Sequence, residues 1–77
     1  MKSIDWNKAA ANILKAELKR KDVSYDQLIG LLEQIGVIET RASILNKFSR
    51  GTFQFSFFLQ CASAIDLKVL HLEHLVG

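Results

Sequence analysis

Apolar side chains recur along the first two thirds of the chain at the three- and four-residue spacing of an α-helix. Over about residues 5–21, Trp6, Ala10, Ile13, Leu14 and Leu18 share one face, and Asp5 is placed to cap the start. Lys8, Asn12, Lys15, Lys19 and Arg20 take the opposite face. Lys19, Arg20 and Lys21 fall in the last turn, where cations offset the negative end of the helix dipole. A second helix over about 25–35 is announced by Ser24-Tyr25-Asp26-Gln27, a capping box in which serine and glutamine satisfy each other's backbone N–H groups. Leu28, Leu31, Leu32 and Ile35 then form a single buried stripe, and Gly36 stands where a helix-ending glycine belongs.

Thr40 is the expected cap of a third helix over 41–50, which ends at Gly51. Its apolar stripe is narrow, made of Ile44, Leu45 and Phe48, so most of its surface faces outward. That outward face carries Arg41, Ser43, Asn46, Lys47 and Arg50, three cations without an acid.

The segment from Phe53 to Ala62 alternates at first as a strand would, Phe-x-Phe-x-Phe. Read further, Phe55, Phe58, Leu59, Ala62 and Ile65 fall at helical spacing, and Phe57, Cys61 and Ala64 make a second stripe beside them. A helix apolar on most of its circumference belongs at the centre of a domain. The expectation is a central helix over about 54–65, with Phe58 enclosed on every side. Residues 68–75 are open between a short helix and an edge strand. Their apolar members, Val69, Leu70, Leu72 and Leu75, are expected to pack on the core or on a second subunit.

Composition narrows the classes. The 77 residues make one domain, too small for a barrel enzyme or a doubly wound nucleotide-binding sheet. The single cysteine, Cys61, excludes an internal disulfide and suits a reduced, cytoplasmic chain, and its apolar neighbours make it a small buried hydrophobe. No proline occurs, which argues against linkers, and no apolar run reaches the roughly 18 residues of a membrane span. The net charge of +2 is modest, but residues 1–51 hold nine basic and six acidic side chains against one and two in the remainder. The positive field belongs to the first three helices.

A capped helix, a glycine turn and a polar basic helix suggest a helix-turn-helix. From Leu14 to Leu67 the sequence resembles the lambda-repressor/Cro-type (XRE-like) helix-turn-helix family. The resemblance lies in the basic end Leu18-Lys19-Arg20-Lys21, the Ser-capped Val23-Ser24-Tyr25-Asp26-Gln27-Leu28, the turn Gly36-Val37 and the ending Phe48-Ser49-Arg50-Gly51. The closing Leu59-Gln60-Cys61-Ala62-Ser63-Ala64-Ile65 completes it. The whole chain also resembles a small uncharacterised family of short bacterial proteins sharing Arg-Gly-x-Phe-x-Phe. It departs from the repressor pattern in a longer second helix, a Phe-rich segment after Gly51, and Tyr25 where that family most often has Gln.

The resemblance implies a compact all-α domain of four to five helices with a central helix-turn-helix, and double-stranded DNA as partner. Carried over by position, Thr40, Arg41, Ser43 and Asn46 would face the bases, with Lys47 nearer the backbone and Arg50 on the same basic face. Ser24, Tyr25 and Gln27 open the preceding helix, whose N–H groups make a natural phosphate seat. The plainer alternatives are a solvated charged face and an ordinary capping box.

Other constellations point to packing. Phe53, Phe55, Phe57 and Phe58 lack the interleaved cations of a base-stacking platform. His71 and His74, even with Glu73, are too few for a metal site and read as surface histidines. No nucleophile–base set stands out, so no catalysis and no cofactor are expected. The expectation is a small DNA-binding transcriptional regulator, with the C-terminal apolar segment as the candidate homodimer interface; the alternative is a protein-interaction module, adaptor or antitoxin-like, on the same fold.

Overall fold

A computed structural model of the chain describes residues 3–72. It contains four helices, α1 (Trp6–Arg20), α2 (Tyr25–Gln34), α3 (Arg41–Arg50) and α4 (Phe55–Ala64), and no strand among the described residues. The strand reading of the Phe-rich segment is therefore excluded. α3 packs against α1 and α2, and α2 packs against α4. The Cα radius of gyration of 12.4 Å is close to the ~11.5 Å expected of a compact chain of this length.

The helix ends are set locally. Asp5, Ser24 and Thr40 each accept a backbone N–H three residues on, and Ser24 with Gln27 completes the capping box. α1, α2 and α4 close alike. The residue after each C-cap (Asp22, Gly36 or Asp66) is left-handed, and the next N–H returns to the carbonyl five residues back. Val23, Val37 and Leu67 therefore fold inward onto the core. Gly51 ends α3 at φ +68°, and a Cβ there would lie 1.9 Å from the Asn7 carbonyl oxygen. Only glycine lets the end of α3 rest against the start of α1.

The core holds Leu14 and Leu18 of α1, Leu28 and Leu32 of α2, Ile44 and Phe48 of α3, and Phe57 and Cys61 of α4 with Ile65 beyond it. The stripe of α4 that faces inward is thus the second one, Phe57 and Cys61. Phe58 is only half-buried, while Phe55 and Leu59 are 70% and 51% exposed. Phe57 wins because it meets Phe48 and Phe53 edge-on, at centroid separations of 6.3 and 5.4 Å. Trp6, expected inside, is 64% exposed, and Ile35 and Leu45 are also exposed. Cys61 is buried as a free thiol, and burial pushes its pKa up to about 12.

After α4 the chain forms neither helix nor strand over residues 67–72, and Leu75 lies outside the described residues. This segment lies against α1 as a strap, tied just before its start by Lys21, beyond the end of α1, and near its far end by Glu17 of α1. Lys21 Nζ donates to the Asp66 carbonyl at 3.1 Å, and the His71 N–H donates to Glu17 Oε2 at 2.8 Å. The His71 ring Nδ1 stands 2.9 Å from the same oxygen, and Arg20 reaches Glu17 Oε1 at 3.0 Å. His71 is therefore a structural partner of Glu17 instead of a plain surface histidine. Glu17 is 1% exposed. Burial pushes its carboxyl up, but the hydrogen bonds from His71 and Arg20 outweigh that and hold it below its ordinary range.

Two outcomes follow from this packing. Phe57→Ala is expected to cost ~3–5 kcal/mol, about the whole stability of so small a domain, and Phe58→Ala distinctly less; thermal melts in which Phe58→Ala is the worse would refute this core. Glu17 has a depressed folded pKa, so its contribution is complete above the ordinary glutamate value of ~4.3 and is lost as pH falls through the folded value. The wild type should melt above Glu17→Gln at neutral pH, and the gap should narrow as the pH is taken below the ordinary glutamate range. A gap that does not change with pH would disprove the role given to this carboxylate.

Candidate functional site

The two helix N-termini singled out by the sequence lie side by side. Arg41, the first residue of α3, forms an ion pair through Nη1 with Oδ1 of Asp26, the second residue of α2. Behind them Tyr25 stacks on Phe48 with ring centroids 4.9 Å apart. Partial burial pushes the Tyr25 phenol up. Ser24, Tyr25, Gln27 and Arg41 are thus brought to one corner by contacts between α2 and α3.

A cleft of about 470 Å³ opens at this corner, between the end of α1 and the start of α2. Ser24, Tyr25 and Gln27 line one side and Lys15 and Lys19 the other, with Asp22 its only acid. Lys15 and Lys19 are four residues apart, so both ammonium groups project from one face of α1. The sequence reading gave Lys15 no functional role. Its spacing with Lys19 was the available signal.

The expected acid-free face of α3 is altered by its neighbours. Ser43 Oγ donates to Glu39 Oε1 at 2.7 Å, and Lys47 Nζ donates to Glu39 Oε2 at 2.6 Å. The Lys47 ammonium also sits 4.4 Å from the centre of the Phe57 ring. Ser43 and Lys47 consequently occupy the side of α3 toward α4, apart from the Arg41 corner. Glu39, Ser43 and Lys47 follow one another at four-residue steps, a line that extends the helix face back before its cap. The Thr40 hydroxyl is engaged by the Ser43 N–H at 3.1 Å. Asn46 and Arg50 are exposed, with no polar partner among the described residues.

The two ion pairs differ in weight. Arg41 and Asp26 have side chains 62% and 69% exposed, and a pair so placed contributes only ~0–1 kcal/mol. Arg41 can therefore leave Asp26 for a better acceptor at little cost. Lys47 and Glu39 are partly buried, and the aromatic ring adds a cation–π term. Lys47 is held.

A four-helix, all-α domain with a cationic cleft at one corner is the class that these features define. The chain belongs to the DUF6471 family, a domain of unknown function whose family model matches residues 6–70. No curated protein and no solved structure matches it. No helix of the described residues is long and apolar enough to cross a membrane.

The unequal pairs can be told apart by melting. Lys47→Ala should destabilise by ~1–2 kcal/mol, because Glu39 would be left partly buried without its counter-charge. Arg41→Ala should change stability by no more than ~0.5 kcal/mol. Equal, small effects would mean that Lys47 is as free as Arg41.

Proposed function

We propose that this domain binds double-stranded DNA sequence-specifically, as a small transcriptional regulator, with α2 and α3 acting as a helix-turn-helix and α3 entering the major groove. The observation that carries the reading is the corner itself: the N-termini of α2 and α3 are adjacent and open beside the Lys15–Lys19 cleft. In a helix-turn-helix, the first helix of the pair meets the phosphate backbone and the N-terminal part of the second meets base edges. The resemblance of residues 14–67 to lambda-repressor-like sequences supports the same assignment.

In this reading Asn46 and Arg41 contact base edges, Asn suited to adenine and Arg to guanine, and Arg41 exchanges its exposed bond with Asp26 for that contact. Arg50 adds a phosphate contact at the far end of α3. Ser24, Tyr25 and Gln27, with the free N–H groups of α2, seat a phosphate that Lys15 and Lys19 neutralise. Thr40 caps the reading helix. Ser43 and Lys47 hold its angle through Glu39 and are supports more than contacts.

A second reading, a protein-interaction module of adaptor or antitoxin-like kind, is favoured by one feature. Asp26 and Glu39 neutralise two of the three cations of α3, which lowers the field offered to a polyanion.

Selection of bound sequences from random duplex DNA, followed by a salt titration, decides between them. Binding should weaken steeply with salt, and Lys15→Ala and Lys19→Ala should each reduce the slope of log K against log salt by about 1 while weakening all sequences alike. Asn46→Ala should instead relax preference at one base position, by ~1–3 kcal/mol. Absence of duplex binding at about 50 mM salt would overturn the DNA reading in favour of the protein partner.

A further inference from the structure

The outer stripe of α4 is left largely uncovered among the described residues. Phe55 and Phe58 stack on one another with centroids 5.7 Å apart, yet Phe55 remains 70% exposed. With Phe53, Leu70 of the strap, and Ala10 and Ile13 of α1, they line a groove of about 280 Å³. None of these lining residues is charged. Trp6 continues the α1 side of the face, since positions 6, 10 and 13 fall on one helical stripe, and it is exposed. Position 17 lies one turn further along the same stripe, where the strap covers Glu17 through His71. The groove is the part of this stripe that the strap leaves open.

We propose that this face is the contact surface of a homodimer, in which Phe55 and Trp6 of each copy enter the groove of the other. Three observations favour a second copy as the occupant. The face carries both projecting rings and a concave site beside them, as a two-fold interface requires, because the same patch must be complementary to itself. It has no charge in the groove with which to select a partner of opposite sign. Its exposed apolar side chains, with Leu59 and Leu70 included, amount to on the order of 500 Å² per copy. That approaches the ~600 Å² per side at the lower bound of stable protein interfaces. The contact expected from Val69, Leu70, Leu72 and Leu75 is thereby moved: Leu70 belongs to the face, while its centre is formed by α1 and α4. No residue of α3 lines the groove, so the dimer does not depend on the DNA reading and leaves that helix open.

Sedimentation of the full chain without DNA tests the proposal. The wild type should pass from monomer to dimer within the micromolar range. Phe55→Asp should weaken the dimer by at least ~30-fold, the effect of losing a central interface anchor. Its circular dichroism and melting should stay close to wild type, since Phe55 lies outside the core. Trp6→Ser should weaken the dimer as well, and Asn46→Asp, on the outward face of α3, should not. A monomer of 8.7 kDa at several hundred micromolar would overturn the proposal, and so would a dimer indifferent to Phe55→Asp. If removing residues 73–77 were needed before the chain dimerised, the groove would be filled by its own end and the proposal would fail.

Discussion

The ring of Phe48 is the contact on which the arrangement of the helices rests. It is enclosed in the core and is met by Tyr25 from the start of α2, by Phe53 from the connection and by Phe57 from α4. Three chain segments that share no backbone hydrogen-bond ladder are thereby fixed against α3 through aromatic pairs, each worth ~0.5–1.5 kcal/mol beyond its buried area. A chain of this size without a disulfide has few other ways to hold an orientation. The same cluster places the candidate site, for Tyr25 can stand at the cleft only because its ring rests on Phe48.

The aromatic cluster also sorts the charges. Phe57 draws the Lys47 ammonium over its face, and Glu39 completes that contact from just before the α3 cap. One cation of α3 is thereby spent on packing. Arg41, at the opposite edge, meets only the exposed Asp26, where solvent screening leaves little net attraction. Two ion pairs that look alike in a list of distances therefore differ in availability, and burial of the partner is what separates them. Lys8, Lys15, Lys19 and Arg50 are then exposed cations with no ion pair among the described residues, spread over two helices.

The helices were legible in the sequence because their signals are local. Asp5, Ser24 and Thr40 act within three residues, and Gly36 and Gly51 act at the residue where they stand, so α1 to α4 begin and end within one or two residues of the expected spans. What escaped the sequence depends on distant residues. α4 carries two adjoining apolar stripes, and hydropathy cannot say which one meets Phe48 and Phe53; the inner one proved to be Phe57 and Cys61. Glu17 looked like an ordinary charged residue of an amphipathic helix, whereas it accepts the backbone of His71, 54 positions later. Periodicity could not settle residues 68–72, because that segment forms no helix or strand and is anchored by the His71 N–H on Glu17 of α1. Of the candidate residues, Ser24, Tyr25, Gln27 and Arg41 lie at one corner through contacts between distant segments, while Ser43 and Lys47 hydrogen-bond to Glu39.

The surplus of apolar surface has the same origin as the misassigned stripe. Nearly half of the chain is hydrophobic, at 49%, but four short helices can enclose only a few side chains each. The centre is filled by one stripe from each helix. α4, apolar on both its inner and outer sides, must leave one of them outside. The strap offsets part of this deficit by laying Leu67 and Leu70 across α1, and it does so at the cost of burying the charge of Glu17. A buried carboxylate is tolerable there because it accepts three donors from Arg20 and His71, and those donors in turn fix where the strap runs. Glu17 thus ties the strap over one end of the α1 stripe, while Trp6 and Phe55 toward the other end stay exposed among the described residues.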